Sequence, residues 1–202
     1  MKRVRIGMVT VGLLALLAGD AFAGAPTDFV KGKTDEVTKL LTSKATKKRS
    51  EDLRKFLSSA IDFRELAARS LGKHWEARTP EEQQKFLDLL QELIRANYET
   101  QLEGRTLGKD YQISYIDEKT RDAKAIVKTT VEVRGEKKPI DYKLAEKEGQ
   151  WSVFDVVIDD ISLEETYRDS YVEIIEDEGW ASLIKRMEEK VAEVRKADKK
   201  KK

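Results

Sequence analysis

Cysteine is absent from the chain. That excludes disulfide bridges, thiolate metal sites, a cysteine nucleophile and acylation at a lipoprotein cysteine, and is compatible with any redox compartment. Histidine occurs once, as His74, so neither a multi-histidine metal site nor a usual histidine triad can be assembled. No glycine-rich phosphate loop or Walker-type lysine is present. An excess of one charge is missing too: 39 Lys plus Arg face 38 Asp plus Glu, leaving no global field to draw nucleic acid. Beyond Ala18 no apolar run reaches the roughly 20 residues that a membrane-spanning helix needs.

What is present begins with a leader. Lys2, Arg3 and Arg5 precede the apolar run Ile6 to Ala18, and Ala21-Phe22-Ala23 forms a small-x-small cleavage site. Residues 1–23 are thus expected to be a cleaved signal peptide, and in a bacterium such a leader delivers its protein to the periplasm. Removing it takes away Lys2, Arg3, Arg5 and Asp20 and leaves 36 bases against 37 acids. Residues 24–195 have the length of one domain, and the almost purely basic run 196–202 reads as a frayed, solvated tail.

Helical signals fill the first half. Pro26 to Leu41 carries a loose stripe of Phe29, Val30, Val37, Leu40 and Leu41. Thr42 to Arg49 reads as a polar loop, after which Ser50 is expected to cap a helix through Leu53, Phe56, Leu57 and Ile61. Asp62 and Glu65 form a capping pair for Phe63 to Leu71, ended by Gly72. Thr79-Pro80-Glu81-Glu82 opens a helix to about Leu102, with apolar residues on more than one side.

From Tyr111 the period switches to two. Tyr111–Ile116, Ala123–Val133, Lys138–Leu144 and Gln150–Ile158 read as strands joined by short loops at Asp117, Gly135 and Gly149. Simple alternation puts Trp151, Val153, Asp155 and Val157 on one face of the last strand and Ser152, Phe154, Val156 and Ile158 on the other. Apolar residues on both sides suggest a central strand. The chain then turns at Asp159-Asp160, and Ser162 with Glu165 starts a helix; another follows Gly179. The fold expected is α+β: a four-stranded antiparallel meander, a curved NTF2-like or cystatin-like sheet, covered by N-terminal and C-terminal helices.

Trp151-x-Val153-x-Asp155-Val156, Ile161-Ser162-Leu163, Tyr167-Arg168, the runs Ala67–Trp75 and Thr79–Phe86, and the later Tyr98 and Leu102 resemble the MlaC, or toluene-tolerance, family of periplasmic phospholipid-binding proteins. One departure is Asp160, where the family commonly has Gly; Asp tolerates a left-handed backbone better than most residues. The resemblance covers most of the mature chain. It implies a carrier, not an enzyme, that holds the acyl chains of a phospholipid between sheet and helices. Phospholipid would be cargo, with no cofactor, no metal and no nucleic acid. The implied partners are an inner-membrane ABC lipid transporter with its MCE-type substrate-binding subunit and an outer-membrane lipoprotein/porin complex.

Periodicity together with this resemblance nominates as acyl-chain lining Leu66, Leu71, Leu90, Leu93, Ile94 and Tyr98 from helices, Val127, Val131, Tyr142, Val153 and Val157 from strands, and Tyr167 and Tyr171 after the corner. Two other readings stay open. In one, Asp155 is a general base opposite Tyr142 in a small cone-fold enzyme; paired with Arg168, another base or backbone amides, the same carboxylate would be structural. In the other, the protein is an exported interaction module with a filled core.

Overall fold

The computed structural model describes residues 26–44, 46–102 and 111–200, with side chains through 97 and 196 in the last two segments. Its helices before the sheet are α1 (Pro26–Thr42), α2 (Lys47–Ser59), α3 (Phe63–Leu71), α4 (Lys73–Glu76) and α5 (Pro80–Leu102). The sheet comprises β1 (Tyr111–Arg121), β2 (Lys124–Val133), β3 (Glu136–Lys147), β4 (Gln150–Ile158) and the two-residue β5 (Ile161–Ser162); α6 (Leu163–Glu178) and α7 (Trp180–Lys200) follow. Both the signal peptide and the Ala21–Ala23 cleavage site lie outside the described residues.

Local chemistry sets most helix starts. The Asp62 carboxylate accepts from the Glu65 amide at 2.9 Å and so caps α3. Thr79 and Glu82 close a reciprocal capping box on α5, with contacts of 2.9 and 3.2 Å. The cap of α2 is Thr46 rather than Ser50, so the basic stretch read as loop is the first turn of that helix. Within it Arg49 is buried, one guanidinium nitrogen donating to the Ser43 carbonyl at 3.2 Å. At the other end of the chain, α7 runs on through Lys196 to Lys200, past the point where the tail was expected.

The strands follow in order β1-β2-β3-β4-β5, each antiparallel to the next. The fifth strand is an addition to the expected meander, and the corner explains it. Asp159 and Asp160 both have positive φ, 50° and 64°, as a two-residue I′ hairpin turn requires, so the chain folds back to pair Ile161 and Ser162 with β4. Asp160 therefore adopts the left-handed backbone that aspartate tolerates better than most residues. Pro139 falls in the interior strand β3, where its carbonyl accepts from the Asp159 amide just past the end of the β3–β4 ladder. The missing N–H faces the same side and costs no ladder bond.

Two bulges overrule simple alternation. In β1 the register shifts between Tyr115 and Asp117, leaving Ile116 62% exposed, and the strand continues to Arg121 where a loop was expected at Asp117. In β4 the register shifts as Lys143 pairs with Asp155 while Leu144 pairs with Val153, making Phe154 the extra residue. Among the described residues the sheet beyond β4 holds β5 and the backbone of Asp62, whose N–H donates to the Val153 carbonyl at 2.7 Å. The strand expected to be central is thus the last long one.

Asp155 lies at this bulge, fully buried. Its carboxylate accepts from Lys143 Nζ at 2.8 Å, Ser162 Oγ at 2.6 Å and the Glu164 amide at 3.0 Å, so it binds β3, β4 and the N-terminus of α6 together. Arg168 pairs with Glu164 instead. Burial pushes the Asp155 pKa up, but the bonds from Lys143, Ser162 and the Glu164 amide outweigh it and hold the carboxyl below the ordinary carboxylate value. A depressed folded-state pKa means stability that is fully present above the unfolded value, about 3.9, and lost as the pH falls below it. Asp155→Asn is expected to lower the unfolding free energy by about 2–4 kcal/mol at neutral pH. The difference from wild type should shrink below about pH 4; urea titrations across that range read both effects.

Candidate functional site

The interior divides into two packed clusters. One is helical: Phe63, Leu66 and Leu71 of α3, Phe86 and Leu90 of α5 and Leu183 and Met187 of α7 fill it, with Tyr167 and Tyr171 packed against it. Tyr171 meets the Phe86 ring edge-on at 5.9 Å and lies 5.2 Å from Tyr167. Burial pushes its phenol up to about 12. The other cluster joins α1 to the sheet through Val30, Ala125, Val127, Leu144, Trp151 and Val153.

Between them lies a cavity of about 160 Å³. α1 contributes Val30, Lys33, Thr34 and Val37, and α2 with the following link contributes Phe56, Leu57, Ala60 and Ile61. Ile94 reaches in from α5, Tyr142 from β3 and Leu163 from the start of α6. From β4 come Val153, Val156 and Ile158. Those three share a side only because the bulge shifts the phase between Val153 and Val156. The opposite side of β4 carries Phe154, whose ring lies 4.1 Å from the Arg69 guanidinium carbon, and Asp155 on α6.

The cavity brings together Ile94, Tyr142 and Val153 of the nominated lining. Leu66, Leu71 and Leu90 are instead fully buried in the helical cluster, where neighbours already fill the space, and Leu93, Tyr167 and Tyr171 pack against them. Val127 is buried between α1 and the sheet. Val131 is half-buried on β2 and does not line this cavity. Val157 is displaced from it by the bulge. The side chain of Tyr98 lies outside the described residues. Every other residue of the wall was missed, those of α1 and α2 with the link after it, Val156 and Ile158 of β4 and Leu163 of α6. Asp155 was the available signal: a carboxylate on the same apolar face as Trp151 and Val153 is out of place under strict alternation, and a misplaced charge marks a bulge.

Among the described residues the wall is hydrocarbon except at three, Lys33, Thr34 and Tyr142. Thr34 Oγ1 is engaged with the Lys31 carbonyl at 3.0 Å and the Tyr115 hydroxyl at 2.6 Å. Lys33 is 4.0 Å from Glu36, and a third of its side chain is exposed. Asp155 does not line the cavity and its carboxylate is saturated by three donors, so the general-base arrangement opposite Tyr142 is not formed. His74, in α4, lies 3.6 Å from Glu176. Among the described residues no cluster of three His, Asp or Glu could hold a metal ion, and no helix is long and apolar enough to cross a membrane.

A filled core and a cavity wall respond differently to truncation. Leu90→Ala should cost about 2–5 kcal/mol, because the helical cluster cannot collapse around the void. Val37→Ala, bordering existing space, should cost less than about 1.5 kcal/mol in the same urea titration.

Comparison with known proteins follows the same outline. Among curated proteins no sequence match was found. A solved structure of the phospholipid-binding protein from Ralstonia solanacearum, in complex with a phospholipid, superposes with a TM-score of 0.73 at 22% identity. The match covers 83% of this chain and 97% of that one; at this identity the likeness is one of fold. The family model described as MlaC protein matches residues 31–189, from within α1 to within α7, and the chain therefore belongs to the MlaC family.

Proposed function

We propose that the protein is a non-enzymatic phospholipid carrier of the periplasm. The observation that carries this reading is the wall of the cavity: hydrocarbon from four helices and two strands, with Lys33 as its one charged residue among the described residues. Such a wall suits an acyl chain, and a partly exposed ammonium beside it suits a headgroup phosphate. Family membership and the phospholipid held by the Ralstonia protein of like fold support it.

Energetics make the role specific. Hiding an acyl chain of roughly sixteen carbons is worth on the order of 12 kcal/mol at about 0.8 per methylene. The cavity, at about 160 Å³, is close to the roughly 150 Å³ that admits a benzene ring. It takes a few carbons as it stands, and the rest of a chain enters as α1 and α2 yield around it. Cargo held that firmly leaves by transfer along another apolar surface rather than by escape into water. The carrier therefore exchanges lipid while docked, at an inner-membrane ABC transporter with its MCE-type subunit and at an outer-membrane lipoprotein/porin complex. The leader-like residues 1–23 agree with a periplasmic site of action.

Solvent extraction and mass spectrometry of never-denatured protein test the reading. Phospholipid should co-purify at near one molecule per chain, and Val156→Trp should cut that load by more than half while circular dichroism stays unchanged. Val157→Trp, one residue on but displaced from the cavity by the bulge, should retain it. Lipid-free protein that also takes nothing from vesicles would sink the carrier.

A further inference from the structure

Three tyrosines stand on the sheet face that α1 covers: Tyr111 and Tyr115 on β1 and Tyr142 on β3. The first two are tied to hydroxyls one turn apart on α1. Thr34 and Tyr115 are 2.6 Å apart, and Thr38 donates to Tyr111 at 3.4 Å. Tyr142 differs. It lines the cavity beside Val153 and Val156, and its hydroxyl has no hydrogen-bond partner among the described residues. Burial first, then the neighbouring Tyr111 and Tyr115, push its pKa far above the ordinary phenol value, so the hydroxyl stays a neutral donor. Phenylalanine would fill the same position without presenting an O–H to the cavity; Tyr142 is half-buried and its hydroxyl is not sealed off, so it is open to an acceptor that enters.

We propose that the Tyr142 hydroxyl donates a hydrogen bond to the carbonyl oxygen at the head of the acyl chain in the cavity, and thereby selects acylated lipids over other hydrocarbon. This rests on the carrier reading above and deepens it. An uncharged acceptor suits the hydroxyl of a neutral phenol, which offers a phosphate no charge to offset its lost hydration. The phosphate is better served by Lys33, where water reaches. Two sources offer the carbonyl, the ester of a phospholipid and the carboxyl group of a free fatty acid bound in its protonated form.

The test compares wild type and Tyr142→Phe for binding of three probes: dipalmitoyl phosphatidylglycerol, its dihexadecyl ether analogue, which lacks the carbonyls, and palmitate. One net hydrogen bond corresponds to roughly three- to tenfold in affinity. Wild type should prefer the ester to the ether by that factor, and Tyr142→Phe should bring the ester down to the ether while leaving ether binding unchanged. Thermal unfolding of Tyr142→Phe should show no loss, since no internal bond is broken. An equal ester-to-ether ratio in the two proteins overturns the proposal, as does a lowered thermal midpoint, which would reveal an internal partner. Uptake of none of the probes by wild type overturns the carrier reading with it. A preference for palmitate that disappears in Tyr142→Phe upholds the carbonyl contact and reassigns the cargo to the free acid.

Discussion

A carboxylate buried at a strand irregularity organises this molecule. Asp155 cannot lie in a protein interior uncompensated, and its three donors come from three elements: Lys143 of β3, Ser162 at the end of β5 and the Glu164 amide in the first turn of α6. Meeting them fixes where α6 begins and turns Asp155 away from the cavity. The register shift that seats it also carries Val156 and Ile158 to the side of Val153. One electrostatic requirement thus determines both how the helices attach to the sheet and which residues of β4 are presented to α1 and α2.

The division of the interior follows. Helices α3, α5 and α7 meet around Leu66, Leu90 and Leu183, each of them buried to within 1% of full enclosure. Across from them, α1 grips the outer strands through paired hydroxyls, Thr34 to Tyr115 and Thr38 to Tyr111, and through Val30 beneath. The hydroxyl ties do not reach β4, and the space between α1, α2 and β4 is where the hydrocarbon wall is left without enough side chain to fill it.

Much of the architecture was legible because its causes are local. Caps at Asp62, Thr79 and Ser162, the stops at Gly72 and Gly179, and two-residue turns at Arg134-Gly135, Glu148-Gly149 and Asp159-Asp160 each depend on residues within a few positions. The α2 start was misjudged for an equally local reason: Thr46 and Ser50 are both competent caps, and the buried position of Arg49 decides between them. The candidate site was far less legible. An apolar residue on a helix stripe looks the same whether it fills a core, as Leu66 does, or borders a cavity, as Val37 does.

The sequence by itself determined the class of the fold, the order and pairing of its long strands, the resemblance that the family match bears out, and the lack of thiol chemistry. These depend on periodicity, turn chemistry and composition, all readable along the chain. Tertiary structure alone decided which side of β4 faces the cavity, which leucines are fully surrounded, and that the Tyr142 side chain opens into the cavity. Each of those depends on packing between segments far apart in sequence, and a single extra residue in one strand was enough to reverse what alternation had assigned.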